Sequence, residues 1–325
     1  MSELAVKSFQ ILNILNELTD EDHPLNAAEI IEKLSSMGIE TERRSVYRCI
    51  SALEDAGHDI VKCGKSGWFI GKRQLETAEL KILMDAVQQA HFLTSKKTLE
   101  LLEKLLGLTS RSIAHELRKQ ISISGRPKHE NESIYYNVDK INTAIVRNCQ
   151  ISFRYFSYDE HGNKVLSRNG YQYRVSPYFT TWYFENYYMI CATKEYDNFS
   201  HYRIEKMTDL EITDKKRRPL HELAPDGFDL ADYLNKTVSM FTGKPERVRL
   251  KINNSLAGQV FDKFGRDITL IPAGDGKSFI NTEAVVDKGL LSWIISYMDG
   301  IEVIDPSHLR EKIVDHCNRI LDVYK

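Results

Sequence analysis

Two groups of side chains in this sequence have the chemistry to bind polyanions, and the first lies between residues 43 and 73. This segment holds seven basic residues against three acidic ones, whereas residues 1–42 hold two basic and nine acidic residues. Cations gathered on one surface attract the phosphates of nucleic acid. The candidates for DNA contact are Arg43, Arg44, Ser45, Tyr47, Arg48, Lys62 and Lys65. An ordinary solvated helix face is the alternative for these charges.

The second group lies in residues 171–207, a tyrosine-rich stretch with the cationic tips Arg174 and Arg203. Tyrosine rings stack on bases, and an arginine fork matches the geometry of a phosphate. The candidate ligand contacts are Arg154, Tyr155, Tyr173, Tyr188, His201, Tyr202 and Arg203. Side chains alternate along a strand, so about half of them can share one face. For most of these aromatics the core of a small barrel is the better interpretation. The alternative for Arg203 is an ion pair with Glu205, and for His201 a structural role is favoured.

Two short segments in this region resemble the signature of WYL-domain proteins. They are Tyr-Tyr-Met at residues 187–189 and His-Tyr-Arg-Ile-Glu-Lys-Met at residues 201–207. In the family the namesake triplet begins one strand, and an arginine-bearing segment closes the sheet. Tyr187 stands in place of Trp, Met189 in place of Leu and Lys206 in place of Arg, so the aromatic, apolar and cationic character is kept.

The resemblance implies a small Sm-like β-barrel and a nucleotide or nucleic-acid effector, with Arg203 in the place of an arginine implicated in ligand contact. It extends to residues 44–48, Arg-Ser-Val-Tyr-Arg, which are similar to a segment common in the recognition helices of these regulators. Cys49 follows where the family usually has Asp. The resemblance covers essentially the whole chain, since the C-terminal region is similar to the extension that follows WYL domains.

Helices and a hairpin must position the first group of cations. Apolar residues at helical spacing predict helices over 5–18, 27–36 and 42–56, and a hairpin with strands 60–63 and 68–70 around a turn at 64–67. Asn26 and Thr41 are the predicted N-caps, and Gly38 the predicted left-handed exit from the second helix. Three helices followed by a two-stranded wing predict a winged helix-turn-helix over residues 1–73.

A helical connector is predicted over residues 74–131. The helices are expected at 75–93, 95–108 and 109–119, and they are interpreted as a connector that can take part in a dimer contact. Helical spacing places two sets of apolar residues on stripes: Leu80, Leu83, Met84 and Val87, then Leu99, Leu102, Leu105 and Leu106. The polar, turn-rich segment 125–132 is the predicted domain boundary.

The remainder predicts an α+β multidomain protein. A helix at 136–148 and about five bent strands form the WYL domain, residues 132–214. A linker over 215–245 includes a basic run at 215–218, which we expect to be a solvated loop rather than a second DNA site. A short helix predicted over 228–236, together with residues 240–243, is also similar to the connector found after WYL domains. From 246 to 325 strands and helices alternate in an order typical of a ferredoxin-like unit. Asp305 is the predicted cap of the last helix, with Pro306 at its first position.

Enzyme function is disfavoured. Two Gly-Lys-Ser triplets, at 64–66 and 276–278, imitate the end of a phosphate-binding loop, but both lack the leading glycine. The five scattered cysteines indicate neither a disulfide framework nor a zinc site. No cofactor and no metal are expected. Without a signal peptide or a membrane span, the 325-residue chain with net charge −2 is predicted to be cytoplasmic.

The function predicted from these features is that of a ligand-responsive transcriptional regulator. It would read a palindromic, double-stranded DNA operator as a homodimer and sense a nucleotide or oligonucleotide effector in the WYL domain. The alternative is a nucleic-acid-binding adaptor that regulates a partner protein rather than transcription.

Overall fold

The computed structural model describes residues 3–122, 128, 133–183, 185–194, 196, 198–225, 227–237, 240, 243 and 245–325. The chain divides into two compact units, Met1–Glu132 and Ser133–Lys325. Helices and antiparallel sheets occur in both, so the prediction of an α+β multidomain protein is confirmed at that level. Most of the predicted boundary segment 125–132, and residues 241 and 242 of the predicted connector, lie outside the described residues.

The first unit begins with helices and a hairpin. These elements are α1 (Glu3–Leu18), α2 (Ala27–Ser36), α3 (Arg43–Asp55), β1 (Ile60–Cys63) and β2 (Gly67–Ile70). They enclose one apolar core, to which α3 contributes Val46, Ile50 and Leu53 as its spacing predicts. Cys49 belongs to the same core, because it lies on the buried side of α3. The opposite side of α3 is thereby left to the solvent.

The ends of α2 and α3 are built differently. Asn26 caps α2 as predicted: its Oδ1 accepts from the amides of Ala28 and Glu29, and the Glu29 carboxylate accepts from the Asn26 amide. The prediction that Thr41 caps α3 is wrong. The N-cap is Glu42, without a side-chain capping bond, and Thr41 Oγ1 is buried with no hydrogen-bond partner in the described structure.

The hairpin is attached to the segment before α2. Leu25 and Trp68 exchange backbone hydrogen bonds of 3.0 and 2.9 Å, which adds a third, very short edge to β1 and β2. Gly67 makes this approach possible, because a Cβ there would lie 2.0 Å from the Leu25 carbonyl oxygen, and its φ is +119°.

Three further helices complete the described part of the first unit. They are α4 (Thr77–Gln89), α5 (Ser95–Leu106) and α6 (Arg111–Arg118). Leu80, Met84, Leu102 and Leu106 form their core. Leu83 and Leu99, which their spacing places on the same stripes as these core residues, are 42% and 47% exposed. The reason is that α4 and α5 carry more apolar residues at helical spacing than one buried face of a helix can accommodate.

The second unit contains a curled, six-stranded sheet packed against a helix. Its elements are α7 (Ile134–Val146), β3 (Cys149–Tyr158), β4 (Lys164–Leu166), β5 (Tyr173–Tyr183), β6 (Asn186–Ala192), β7 (Ser200–Arg203) and β8 (Met207–Lys216). The strands follow the order β4-β3-β5-β6-β7, and β8 pairs with the other side of β3. β7 runs into β8 through a 3-10 turn, Ile204–Lys206, so the sheet bends round as a half-barrel. The side chain of Asn137 on α7 donates to the carbonyl oxygen of Ile204 in this turn and to that of Met207 at the start of β8, which attaches the helix to the connection between β7 and β8.

A second sheet follows in the same unit. Its elements are α8 (Leu230–Lys236), β9 (Pro245–Asn253), α9 (Ala257–Phe264), β10 (Ile271–Gly274), β11 (Lys277–Val285), α10 (Lys288–Ser296), β12 (Ile301–Asp305) and α11 (Ser307–Tyr324). The strands lie antiparallel in the order β10-β11-β9-β12. Helices α9, α10 and α11 cover the face that carries Val248, Leu250 and Ile252, whereas α8 packs against Tyr178 and Ile190 of the first sheet.

Two local predictions in this unit are wrong. Asp305 does not cap α11; it ends β12, and Pro306 is the N-cap. The basic run 215–218 is not a solvated loop. It begins within β8, and Arg217 donates to the Pro177 carbonyl while Arg218 donates to Glu222. In both cases the strand runs longer than its apolar pattern, because ladder hydrogen bonds do not depend on side-chain polarity.

Candidate nucleic-acid and ligand sites

The outer side of α3 and the hairpin carry a cationic face. We define it as Arg43, Arg44, Arg48, Lys62 and Lys65, all of which are exposed. Within the residues that the structure describes, none of these five side chains pairs with a carboxylate. Five cations on one surface without internal counter-charges leave a net positive field, which favours a polyanionic partner.

Tyr47 connects the helix to the hairpin inside this face. Its ring meets Trp68 edge-on with centroids 5.0 Å apart, and the Lys62 ammonium lies 6.0 Å from the Tyr47 centroid. The Arg43 guanidinium lies 5.9 Å from the same ring. Tyr47 therefore helps to hold the neighbouring cations in place. The residue itself is 40% exposed and so is accessible from the cationic face. Ser45 is half-buried in the first turn of α3, two positions before Tyr47 in the sequence.

A cavity of about 470 Å³ opens between the start of α2, α3 and the hairpin. Arg43, Lys62 and Lys65 line it on the cationic side, and Asn26 and Ala28 line it at the beginning of α2. The first amides of a helix carry partial positive charge. The opening thus adds to the cationic character of this surface.

Arg203 in the second unit has very different surroundings. Its Nε donates to Glu205 Oε1 over 2.5 Å, and Glu205 is completely buried while the arginine side chain is 26% exposed. This is the ion pair considered as the alternative to ligand contact. A buried carboxylate needs such a partner, because an unpaired charge in the interior is costly. The pair joins the end of β7 to the 3-10 turn.

Tyr155 supports the same corner of the barrel. Its hydroxyl accepts a 3.2 Å hydrogen bond from the backbone amide of Arg203. Burial raises the pKa of Tyr155 to about 12, so the hydroxyl stays neutral at physiological pH. Tyr188 faces Arg203 across the β6–β7 ladder, and burial raises its pKa too.

His201 is held on both sides of its ring. Nδ1 lies 2.8 Å from the Met240 carbonyl oxygen, and Nε2 lies 2.8 Å from the hydroxyl of Tyr233 on α8. Burial lowers the pKa of His201. The arrangement matches the structural role favoured for this residue, since neither ring nitrogen is left for a ligand.

The predicted ligand residues divide between surfaces. Tyr155, Tyr173 and Tyr202 meet around the buried ring of Phe153, at centroid distances of 6.4, 5.4 and 5.1 Å.

Tyr188, His201 and Arg203 lie on the other side of the sheet, since Tyr188 pairs with Arg203 and His201 with Ile190, whereas Tyr202 pairs with Met189. Arg154 lies apart from both sets, 3.3 Å from Asp209 on the surface of the barrel. The structure therefore does not bring the seven residues into one pocket.

Tyr173 and Tyr202 line a cavity of about 350 Å³, which we call the tyrosine cavity. Its wall is completed by cations and polar groups that the sequence interpretation had mostly left out of the ligand set. The lining is Arg168, Tyr171, Gln172, Tyr173, Arg174, Thr193, Lys194, Tyr196, Ser200 and Tyr202. The sequence identifies Arg174 as a cationic tip of the tyrosine-rich stretch, but it gives no indication of Arg168 and Lys194, because these two residues lie on separate turns that only the curl of the sheet brings together.

The turn before β5 is strained where it supplies Arg168. Arg168 and Asn169 have φ values of +49° and +54°, and Gly170 follows at +78°. A left-handed conformation costs a non-glycine residue about 1–2 kcal/mol. The turn places the Arg168 guanidinium 5.9 Å from the centroid of Tyr173, at the cavity wall.

Other kinds of site find no support in the part of the chain that is described. There, no three His, Cys, Asp or Glu residues are grouped as metal ligands. All five cysteines are free thiols. A search of the same residues finds no helix with the length and hydrophobicity that a membrane crossing requires.

Comparison with known families finds two matching domains. The WYL domain profile matches residues 136–212, and the WCX domain profile matches residues 244–321. The first range takes in the half-barrel and the second takes in the β10-β11-β9-β12 sheet with its helices.

Whole-chain comparisons find relatives of low identity. An uncharacterized HTH-type transcriptional regulator of Bacillus subtilis (strain 168), YobV, is 22% identical over 322 residues, which cover 93% of this chain and 94% of the relative. Among solved structures, the proteasome accessory factor B/C of Arthrobacter aurescens is 15% identical, with a TM-score of 0.31 over 96% of this chain. The present chain spans 47% of the length of that solved chain.

Proposed function

This chain is a WYL-domain regulator, and we propose that it binds a palindromic DNA operator as a homodimer and that an effector bound in its WYL domain controls that binding. The observation that carries the proposal is the cationic face of α3 and the hairpin, exposed and without internal carboxylate partners in the described structure. The relative named an HTH-type transcriptional regulator covers nearly the whole chain and supports the same function.

The element order supports finer assignments within this proposal. Three helices and a hairpin suit a winged helix-turn-helix over residues 1–73, followed by a helical connector over 74–131. The curled sheet suits an Sm-like barrel in a WYL domain over 132–214, and residues 215–245 serve as a linker. The strand order β10-β11-β9-β12 with its intervening helices suits a ferredoxin-like extension over 246–325.

The proposed reading of DNA follows from the dimensions of the helix and the groove. The major groove admits an α-helix, and the first turns of a recognition helix approach the base edges. Arg43, Arg44, Ser45 and Tyr47 occupy the first turn and a half of α3, so we assign them to bases and adjacent phosphates. Arg48 and the hairpin lysines Lys62 and Lys65 are assigned to phosphates.

Control by an effector is a coupling between two sites. Two copies of α3 read half-sites about 34–36 Å apart, one helical turn of DNA. An effector that favours one spacing of the two readers changes DNA affinity by the coupling free energy, which is typically about 1–3 kcal/mol. We place the effector in the half-barrel, and its class is a nucleotide or an oligonucleotide.

Selection of bound duplexes from a random library by the purified full-length protein tests the proposal. We expect an inverted repeat with half-site centres about one turn, or 10–10.5 base pairs, apart. The double variant Arg43→Ala/Arg44→Ala is expected to lose the selected sequence. Lys72→Ala is the matched control, because Lys72 is an exposed cation of the same segment outside the proposed contact set.

Diffuse binding or no binding to duplex DNA would contradict the proposal and favour a protein-directed adaptor. Occupancy of the genome separates these outcomes in the cell, since a regulator is expected at a few palindromic promoter sites.

A further inference from the structure

We propose that the tyrosine cavity binds one nucleotide unit, with its phosphate held by Arg168, Arg174 and Lys194 and its base against the tyrosines. The unit is a free mononucleotide, which carries a phosphate monoester, or one residue of a short single strand, which carries a less charged phosphodiester; both present an anionic phosphate and a base to the cavity. The inference rests on the proposed effector function of the WYL domain and says where and by what chemistry the effector is held.

Charge is the first argument. Three exposed cations line the cavity, and no carboxylate of the described structure is part of its lining. None of the three is paired with an acidic side chain among those residues. A phosphate monoester carries a charge of about −1.5 to −2 at pH 7 and offers three acceptor oxygens. Two guanidinium groups and an ammonium supply the donors that such a group requires.

Aromatic surface is the second argument. Tyr171 and Tyr196, which line the cavity, are 48% and 55% exposed, so their rings are accessible to a ligand. The rings of Tyr171 and Tyr173 meet edge-on with centroids 5.0 Å apart, so the exposed tyrosine packs against a second tyrosine of the cavity wall. Exposed aromatic faces next to cations are the arrangement on which bases of single-stranded nucleic acids stack.

The strained turn is the third argument. Arg168 and Asn169 keep left-handed conformations, and Gly170 continues them. Such strain persists where the surrounding structure demands a particular placement, and it concentrates at ligand sites. Here the result is a guanidinium above Tyr173, at the cavity wall.

Size and neighbourhood limit the ligand. A cavity of about 350 Å³ lies at the small end of ligand pockets, so it suits one nucleotide unit rather than several. Arg203 lies across the sheet from Tyr202 and is engaged by Glu205. The phosphate therefore belongs with Arg168, Arg174 and Lys194 rather than with Arg203.

Binding of two probes to the full-length protein tests the inference. Fluorescein-labelled pentathymidylate is followed by anisotropy and AMP by calorimetry. The variants are Arg168→Gly and the double variant Arg174→Ala/Lys194→Ala. Loss of a charge-assisted phosphate contact is expected to weaken binding about tenfold or more. Arg310→Ala, which removes an exposed cation from α11, is the matched control and is expected to bind within about twofold of the unchanged protein.

Arg168→Gly separates folding from binding, because glycine accepts a φ of +49° without strain. We expect it to keep or raise the melting temperature while it weakens probe binding. Preference for AMP or for pentathymidylate identifies the source of the nucleotide, and either supports the site. Equal binding by the cavity variants, or binding of neither probe to the unchanged protein at millimolar concentration, overturns the inference.

The DNA selection described above is independent of this test. If the protein binds an operator but the cavity variants bind the probes as well as the unchanged protein does, the nucleotide site is ruled out and the proposed regulator function is kept. If the cavity variants weaken probe binding but no operator is selected, the proposed regulator function is ruled out and the nucleotide site is kept.

Discussion

The cations of the α3–hairpin face and Arg203 of the barrel are similar groups in opposite situations. On the face, Arg43, Arg44 and Arg48 point to solvent with no described carboxylate beside them. In the barrel, Arg203 is fixed by the buried carboxylate of Glu205. A cation that satisfies a buried charge stabilises its own protein, whereas a cation without such a partner is free to neutralise a phosphate. The presence or absence of a neighbouring carboxylate therefore distinguishes a structural arginine from a candidate binding arginine. The residue type alone does not make this distinction.

The largest effect on stability is expected from Arg203→Ala. This variant removes the described ionic partner of the buried Glu205 carboxylate, and breaking a buried ion pair typically costs about 3–5 kcal/mol. We expect a large drop in the melting temperature, measured by calorimetry. Arg203→Ala/Glu205→Gln is the control, because it removes both charges and should recover much of the loss. A stable Arg203→Ala variant that loses only its effector response would instead assign Arg203 to the ligand.

Tyr155→Phe tests the same corner of the barrel with a smaller change. It removes the hydroxyl that accepts from the Arg203 amide while keeping the ring among its aromatic neighbours. Leaving a buried donor unpaired costs about 1–3 kcal/mol. The free energy of unfolding, measured with urea, should fall by this amount. Tyr158→Phe on the same strand is the control, since Tyr158 is exposed and should change little.

The burial of His201 should be visible in the pH dependence of the free energy of unfolding. Burial lowers its pKa in the folded protein below the ordinary value of 6.5, so the unfolded chain binds the proton first as pH falls. The His201 contribution is thus complete above about pH 6.5 and decreases below it, by at most about 1.4 kcal/mol per pH unit. Unfolding measured between pH 7.5 and 5.5 should show this slope. His201→Gln should flatten it, and an unchanged slope would contradict the assignment.

The smallest effect on stability, and the clearest effect on binding, is expected from Arg48→Ala. Surface substitutions of this kind usually change the free energy of unfolding by less than about 0.5 kcal/mol. Affinity should fall about equally for all duplex sequences, and the slope of log affinity against log salt should decrease by about 1. Anisotropy titrations at several salt concentrations measure both. An unchanged slope would remove Arg48 from the phosphate contacts.

The sequence was informative where local patterns determine structure. The Asn26 cap, the buried stripe of α3 and the hairpin followed from spacing and turn chemistry alone. It misled where tertiary packing decides. Leu83 and Leu99 fit a helical stripe as well as their buried neighbours do, and only the arrangement of α4 and α5 leaves them exposed.

The same distinction applies to the candidate sites. Clustering of charge in one short segment was enough to predict the cationic face. The tyrosine cavity combines residues from separate turns and strands, so Arg168 and Lys194 gave no sign in the sequence of lying together. The burial of Glu205, which determines the role of Arg203, was equally invisible, because Ile-Glu-Lys reads as an ordinary polar segment.

The close contact of Gly67 with Leu25 has a mechanical consequence. Two backbone hydrogen bonds clamp the base of the hairpin to the chain ahead of α2, and Tyr47 against Trp68 clamps it to α3. The hairpin and α3 must then move as one rigid body. The orientation of the hairpin lysines relative to the arginines of α3 is therefore fixed once the protein has folded. An effector that changes the proposed DNA affinity would therefore have to move the hairpin and α3 together, because these contacts leave little freedom between the two elements.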